Sequence, residues 1–220
     1  MAYHPSDHWP LVGDVRRWLR SRREAARVRT WREQGCPAPP PHSIKQLVLR
    51  EYARRHGCKL LVETGTFMGD MVEAMRRDFD RVYSIELSEE LYQKARRRFA
   101  RCGNVELIQG DSGVELGKLL QKLDQKTLFW LDGHWSAGPT AKGDKETPIA
   151  EELDHVAPLL LQGHVVLIDD ARLFGIDPDY PPIDVVEDYL RVETGDSVDM
   201  HIDNDIIRLT PRAAVSRLAA

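Results

Sequence analysis

Short apolar segments alternate with amphipathic segments from residue 58 onward, and this alternation is the strongest constraint on the fold. The apolar segments have the length of buried strands, and the stretches between them have helical periodicity. We predict strands at 59–63, 81–86, 105–109, 127–132 and 164–169, and helices near 70–79, 88–101, 113–123 and 148–160. Strands that alternate with helices favour a parallel sheet covered by helices on both faces.

The last part of the chain departs from this pattern. After a helix near 183–192, two further strands at 197–202 and 205–210 are joined across Asp203 and Asn204. A two-residue Asp/Asn turn favours a hairpin, so we expect these two strands to be antiparallel. The predicted fold class is therefore α/β. It is a Rossmann-like doubly wound sheet, mostly parallel, with an antiparallel C-terminal hairpin and an N-terminal helical extension.

The N-terminal residues 1–57 have a different composition from the rest of the chain. They contain 12 Lys and Arg against 5 Asp and Glu, whereas the remaining residues contain 19 against 30. Helices are predicted at 9–34 and 43–56, on either side of a proline cluster. We divide the chain into an N-terminal extension or cap (1–57) and a sheet domain (58–220). The first helix has an apolar face formed by Val12, Val15, Trp18 and Leu19, which could dock on the sheet domain or on a second subunit, so the helix is a candidate homodimer element.

Composition excludes several classes of protein. The 220 residues are 42% hydrophobic, which is too apolar for a disordered chain. No apolar run approaches the roughly 20 residues of a membrane span, so we expect no membrane partner. The N-terminus lacks the apolar region of a secretory signal, and three widely spaced cysteines suggest neither a disulfide framework nor a zinc site. These features predict a cytoplasmic protein.

Polar residues follow the first three predicted strands. The first strand leads into Glu63-Thr64-Gly65-Thr66-Phe67-Met68-Gly69, in which the glycines allow a tight turn before a helix. The second strand ends at Glu86, where an acid is suited to hold a ribose diol. The third ends before Asp111. Each acid taken alone is typical of a helix cap, but three successive strands with such endings favour a nucleotide-type ligand.

These motifs, together with the closing hairpin, resemble the class I S-adenosylmethionine-dependent methyltransferases, and the resemblance covers roughly residues 58–210. It implies S-adenosylmethionine as cofactor and makes 58–220 the cofactor-binding methyltransferase domain. It also implies the contacts. The methionine part would be held by Glu63, Gly65, Thr66 and Gly69, the ribose by Glu86, and the adenine side by Asp111 and Ser112, with Leu87 and Asp132 as further cofactor contacts.

Three further acids follow the fourth and fifth predicted strands. Asp132 ends one strand, and Asp169 and Asp170 end the next. Adjacent parallel strands would bring these carboxylates together, where they would repel one another unless a cation compensates. Mg²⁺ or Ca²⁺ with oxygen ligands is the expected compensator. The arrangement resembles metal-dependent small-molecule O-methyltransferases, which implies a metal bound by Asp132, Asp169 and Asp170. The alternative is that Asp169 or Asp170 caps a turn and only Asp132 is functional.

Several neighbouring residues are candidates for the chemistry. His134 lies two residues beyond Asp132, and its ordinary pKa would let it take a proton at neutral pH, so His134 and Asp132 are the predicted catalytic residues. The polar segment 136–147 suits a lid. Phe174 and Tyr180 are candidates for the acceptor rim. For His42 and Lys45, a solvated helix start is favoured over a cofactor contact.

The predicted function is methyl transfer from S-adenosylmethionine to a hydroxyl of a small polar acceptor, sugar-like or a natural product, assisted by a divalent metal. Two alternatives stay open: a metal-independent O- or N-methyltransferase with His134 as base, and a binding protein without catalysis. A nucleic-acid partner through the Arg-rich residues 16–32 is disfavoured, because the Asn/Asp-Pro-Pro-aromatic motif of amino-directed enzymes is absent after the fourth strand.

Overall fold

A seven-stranded sheet forms the centre of the molecule. The computed structural model describes residues 10–133 and 147–212, with side chains from residue 22. The strand order is β3-β2-β1-β4-β5-β7-β6. The first five strands are parallel, and β7 runs antiparallel to both β5 and β6. The predicted fold class is confirmed. The strands are β1 (Leu60–Thr64), β2 (Arg81–Glu86), β3 (Val105–Gln109), β4 (Thr127–Leu131), β5 (Val165–Ile168), β6 (Val198–Asp203) and β7 (Ile206–Pro211).

Seven α-helices and one short 3-10 turn occur in the described part of the chain. Each lies within a few residues of its prediction, except that the 3-10 turn was not predicted. The helices are α1 (Pro10–Glu33), α2 (His42–His56), α3 (Asp70–Met75), α4 (Glu89–Phe99), α5 (Ser112–Leu120), α6 (Ile149–Leu160) and α7 (Ile183–Thr194), and the 3-10 turn is Ala171–Leu173.

Helix α3 ends earlier than its periodicity predicts. The apolar spacing continues to Phe79, which is buried, but the helix stops at Met75. The side-chain amide of Asn104 donates hydrogen bonds to the carbonyl oxygens of Arg76 (2.6 Å) and Phe79 (3.3 Å). A distant residue therefore satisfies backbone acceptors that a longer helix would have used, and the chain turns directly into β2.

The sheet separates two apolar layers. Strands β1, β4 and β5 are buried along their whole length, as expected for strands covered on both faces. One face packs against α5, α6 and α7, and the other against α2, α3 and α4. No helix within the described residues is both long and apolar enough to cross a bilayer.

Helix α2 belongs to the second of these layers. Val48, Leu49 and Tyr52 are buried in the same cluster as residues of β4 and β5. The packing fixes the first turn of α2 near the carboxyl ends of those strands. The division of the chain at residue 57 stays a prediction, as does the homodimer, whose apolar stripe on α1 lies among side chains outside the described set.

Candidate functional site

The strand order reverses beside β1, which has β2 on one side and β4 on the other. Ligands of open α/β sheets bind at the carboxyl ends of strands at such a switch point. Here the loops that follow β1 and β4 touch: the amide of Asp132 donates to the hydroxyl of Thr64 (3.2 Å). Gly65 has φ +81°, and a Cβ on it would lie 2.3 Å from the carbonyl oxygen of Asp132. Only glycine fits there.

Glu63 lies buried at the end of β1, with 2% of its surface exposed. The hydroxyl of Ser84 on β2 donates to its Oε2 at 2.5 Å, and the Ser84 oxygen lies 2.6 Å from the hydroxyl oxygen of Thr66. Burial raises the pKa of Glu63 to about 8, although the Ser84 hydrogen bond acts in the opposite direction. A buried carboxyl of this kind is poised to receive a positively charged ligand group, which would favour its ionised form.

Glu86 ends β2 beside the glycine loop. Its Oε2 accepts from the amide of Phe67 and its Oε1 accepts from the amide of Ser88, both at 2.8 Å. Burial raises the pKa of Glu86, while these two hydrogen bonds lower it. Each oxygen retains a lone pair for a further donor. Leu87 follows at an intermediate exposure, and its carbonyl accepts from the Gln109 side chain (3.2 Å).

The third strand ends in a helix cap. The side chain of Asp111 accepts from the amide of Gly113 at 2.8 Å, at the start of α5. Ser112 is buried beside it. On the opposite side of the glycine loop, Gly69 begins α3 with φ +75°. The predicted cofactor residues therefore surround one edge of the sheet, from the start of α3 to the start of α5.

Three carboxylates converge beyond β4 and β5. Asp132, Asp169 and Asp170 each offer an oxygen atom, and these atoms lie within 4.8 Å of one another. Asp169 and Asp170 are each 3% exposed. Asp170 has the left-handed conformation (φ 57°), and its Oδ1 accepts from the Arg172 guanidinium at 2.6 Å. Such a conformation costs energy in a non-glycine residue, so the surrounding contacts hold Asp170 in place.

Lys45 supplies a positive charge to this cluster. Its ammonium donates to Oδ2 of Asp169 and lies 4.0 Å from Oδ1 of Asp170. Burial and the charge of Asp132 raise the pKa of Asp169, and the Lys45 charge acts against them. Burial alone would lower the pKa of Lys45, but the neighbouring carboxylates raise it. The solvated helix start favoured for Lys45 is therefore wrong, because its side chain is only 15% exposed.

Comparisons with known proteins bear on the fold. No protein-family model matches the chain, and no curated protein sequence matches it significantly. Among solved structures, a Staphylococcus aureus protein assigned as a caffeoyl-CoA O-methyltransferase matches with a TM-score of 0.55 and 16% identity, covering 77% of this chain and 83% of that one. The chain has the class I methyltransferase fold.

Two further structures agree with this methyltransferase fold. The O-methyltransferase TomG from Streptomyces achromogenes, solved with S-adenosylmethionine, has a TM-score of 0.50 and 20% identity, over 86% of this chain and 89% of that one. An O-methyltransferase from Bacillus cereus, solved with S-adenosylhomocysteine, has a TM-score of 0.50 and 14% identity, over 86% and 90%. At these identities the likeness establishes the fold alone.

Two residues predicted at the acceptor rim of the methyltransferase fold lie in its core instead. Phe174 and Tyr180 are 6% and 7% exposed, and their rings meet edge to face with centroids 5.1 Å apart. They support the loop after β5 and offer little surface to a ligand. The predicted catalytic base His134 and nearly all of the predicted lid 136–147 lie outside the described residues.

Glu152 is a site residue that the sequence analysis missed. It projects from α6 and is 1% exposed. A Cβ on Gly133 would lie 3.0 Å from its Oε1, which has no hydrogen-bond partner among the described residues. Burial raises the pKa of Glu152 to about 7, although hydrogen bonds with Ser112 and Thr64 act in the opposite direction. The available signal was its spacing: Glu152 falls in the apolar stripe of α6, where a hydrophobic side chain is expected.

Proposed function

We propose that this chain is a methyltransferase that uses S-adenosylmethionine and transfers the methyl group to a hydroxyl of a small polar acceptor, assisted by a divalent cation. The observation that carries the proposal is the convergence of carboxylates at the ends of β1, β2, β4 and β5, at the switch point of a class I methyltransferase fold. An acidic site suits a sulfonium cofactor and a cation, and it opposes a polyanion such as nucleic acid.

The cofactor part of the site fits S-adenosylmethionine. Glu63 is a buried carboxyl without an ion-pair partner among the described side chains, and a sulfonium or ammonium group would supply the missing positive charge. Glu86 is held rigidly by two backbone amides and retains lone pairs for ribose hydroxyls. Asp111 and Ser112 border the same edge. The two fold neighbours solved with S-adenosylmethionine or its product support this reading.

The acidic cluster fits a hard divalent cation. Oxygen atoms of Asp132, Asp169 and Asp170 lie close enough together to bind a single ion, within 4.8 Å of one another. Oδ1 of Asp169 is buried and has no hydrogen-bond partner in the described part of the chain. Arg172 holds Asp170 by a hydrogen bond and thereby fixes one of the ligands. When bound, Mg²⁺ or Ca²⁺ would lower the pKa of the acceptor hydroxyl and orient it.

The remaining chemistry is displacement at the methyl carbon. When bound, S-adenosylmethionine would supply the methyl group: the acceptor oxygen would form a bond to the methyl carbon as the carbon–sulfur bond breaks with its electron pair going to sulfur, which gives a methyl ether and a thioether. The hydroxyl proton passes to a base, for which His134 is the sequence candidate. The chain contributes alignment of oxygen, carbon and sulfur, because positioning accounts for most of the rate in such a reaction. A hydroxyl acceptor is supported by the fold neighbours, which are O-methyltransferases.

Calorimetric titration with S-adenosylhomocysteine tests the cofactor part. Glu86→Ala is expected to weaken binding about 10- to 100-fold, because it removes hydrogen bonds to a charged group. Glu89→Ala is the matched control, since Glu89 is exposed on the first turn of α4. Absence of binding to the unaltered protein would overturn the methyltransferase proposal, and equal weakening by both variants would remove Glu86 from the site.

Methyl transfer from labelled S-adenosylmethionine to a panel of polyols and phenols tests the rest. We expect activity that is lost with a chelator, restored by Mg²⁺ and strongly reduced in Asp169→Asn. A second candidate is a metal-independent enzyme, favoured by the contact between Lys45 and Asp169. Activity that survives both the chelator and Asp169→Asn would select it. Cofactor binding without transfer to any acceptor would favour a binding protein.

A further inference from the structure

Lys45 is placed where a cation bound by the acidic cluster would lie. Its ammonium contacts Oδ2 of Asp169 and lies 4.0 Å from Oδ1 of Asp170. The base of its side chain is fixed, because α2 packs its buried residues against β4 and β5. The side chains of Lys45 and Asp169 are 15% and 1% exposed, so the contact is largely shielded from water. This ion pair is mostly buried, unlike solvent-exposed pairs such as Lys94–Glu90 on α4.

Among the described residues, Arg172 is a further cation at the cluster, and it shares Asp170 with Lys45. The Arg172 guanidinium contacts both Asp170 and Asp205, and its backbone amide donates to Oδ1 of Asp205 at 2.8 Å. Arg172 therefore bridges the β5 loop to the turn between β6 and β7. Within the part of the chain that the structure describes, Lys45 is the positive group in contact with Asp169, whose side chain is more buried than that of Asp170.

We propose that Lys45 is an internal competitor for the divalent cation and sets the affinity of the site for it. The proposal rests on the proposed function, because it assigns the cluster to a cation. A Mg²⁺ ion lies about 2.1 Å from an oxygen that binds it, and on Oδ1 of Asp169 it would strongly repel an ammonium held by Oδ2 of the same carboxylate. The cation therefore enters as the Lys45 ammonium leaves Asp169. The flexible four-carbon side chain of Lys45 allows the ammonium to move away.

The competition has a functional consequence. With the cation absent, Lys45 neutralises part of the negative charge of the cluster and so lowers the free-energy cost of burying its carboxylates. With the cation present, the ammonium is released from Asp169. The cluster then holds either its own lysine or an external ion, and the lysine lowers the affinity for the ion.

Manganese binding measures this competition without any assay of activity. Free Mn²⁺ is followed by electron paramagnetic resonance during titration of the protein and of Lys45→Met. Removal of a unit charge next to the ion is expected to tighten Mn²⁺ binding about 10- to 100-fold. The charge-matched control is Lys122→Met, since Lys122 is exposed on the surface beside Glu106 and is expected to change nothing. Adding Asp169→Asn to Lys45→Met should abolish the gain.

The unaltered protein provides a second measurement that needs no variant. Lys45 is shielded by its ion pair, so an amine-reactive ester should modify it slowly, and Mg²⁺ should speed the modification severalfold. Mass spectrometry after short exposure gives the rate for Lys45, with Lys122 as the internal reference. This readout stands even if Lys45→Met does not fold.

Defined results would overturn the proposal. Equal Mn²⁺ affinity in the unaltered protein and Lys45→Met, or equal tightening in Lys122→Met, would show that Lys45 does not compete. Absence of Mn²⁺ binding in every variant, or a Lys45 modification rate that Mg²⁺ leaves unchanged, would do the same. Titration of the same samples with S-adenosylhomocysteine distinguishes failure of the Lys45 proposal from failure of the methyltransferase proposal. Binding of S-adenosylhomocysteine would leave the methyltransferase proposal intact, and absence of binding would refute it.

Discussion

Replacement of Glu152 by glutamine should change how the stability of the protein depends on pH. Glu152 is almost fully buried against Gly133, and no described residue forms a hydrogen bond with its Oε1. Burial raises the pKa of this carboxyl from 4.5 to about 7. Glutamine has nearly the same shape and can keep a hydrogen bond to Ser112 or Thr64, but it does not ionise.

The sign and size follow from linkage between protonation and folding. A carboxyl whose pKa is raised by folding contributes stability that is fully present below its unfolded pKa of 4.5 and is lost as pH rises through about 7. Each pKa unit corresponds to about 1.4 kcal/mol, so Glu152 removes about 3 kcal/mol from the free energy of unfolding by pH 8. Glu152→Gln should therefore be more stable than the unaltered protein at pH 8 by up to about 3 kcal/mol, and more stable by less than about 1 kcal/mol at pH 5.

Urea denaturation followed by circular dichroism at pH 5, 6, 7 and 8 measures this difference. The control is Glu187→Gln, because Glu187 is an exposed glutamate on α7, and its effect should be small at every pH. A Glu152→Gln difference that is the same at pH 5 and pH 8 would refute the reasoning, since it would mean that Glu152 titrates alike in the folded and unfolded chains.

Two other predictions concern the glycine loop. Binding of S-adenosylmethionine at pH 7 should release close to one proton from Glu63, because the pKa of Glu63 is about 8 before a cationic ligand lowers it. Calorimetry in buffers of different ionisation enthalpy counts the released protons. A binding heat that does not depend on the buffer would contradict this prediction. Gly65→Ala should lower the free energy of unfolding by at least about 2 kcal/mol, because the new Cβ would meet the Asp132 carbonyl oxygen and the backbone φ at this position is positive. The control in the same urea titration is Gly103→Ala, where a Cβ would meet no described atom within 4 Å. An equal loss of stability in both variants would contradict the steric argument.

Much of the sheet edge was predictable because it depends on local patterns. Alternation of apolar segments with helices implies parallel strands, and parallel strands place their carboxyl ends along one edge. Glu86, Asp132 and Asp169 are the residues at or next to those strand ends, so their grouping followed once the strands were assigned. The distances support the metal prediction for the acidic cluster without testing it.

The residues that were missed depend on contacts between distant parts of the chain. Lys45 meets Asp169 across 124 positions, and nothing near Lys45 in the sequence indicates that contact. Glu152 was obscured for another reason: an acid in the first turn of a helix is favourable for the helix dipole, so it is typical of an exposed position. In both cases tertiary packing decided the role of the residue.

The docking of α2 has a consequence for synthesis of the chain. Lys45 on α2 precedes its partner Asp169, which follows β5, by 124 residues. Helix α2 therefore leaves the ribosome long before β5 does. Until β4 and β5 are made and paired, the apolar face of α2 has no sheet to cover, and the acidic cluster does not exist. Contacts of such long sequence separation carry a large loop-closure entropy cost and slow folding. Helix α2, which is translated before the sheet, thus completes the site, and the acidic cluster acquires Lys45 as its counter-ion only after β5 has been made.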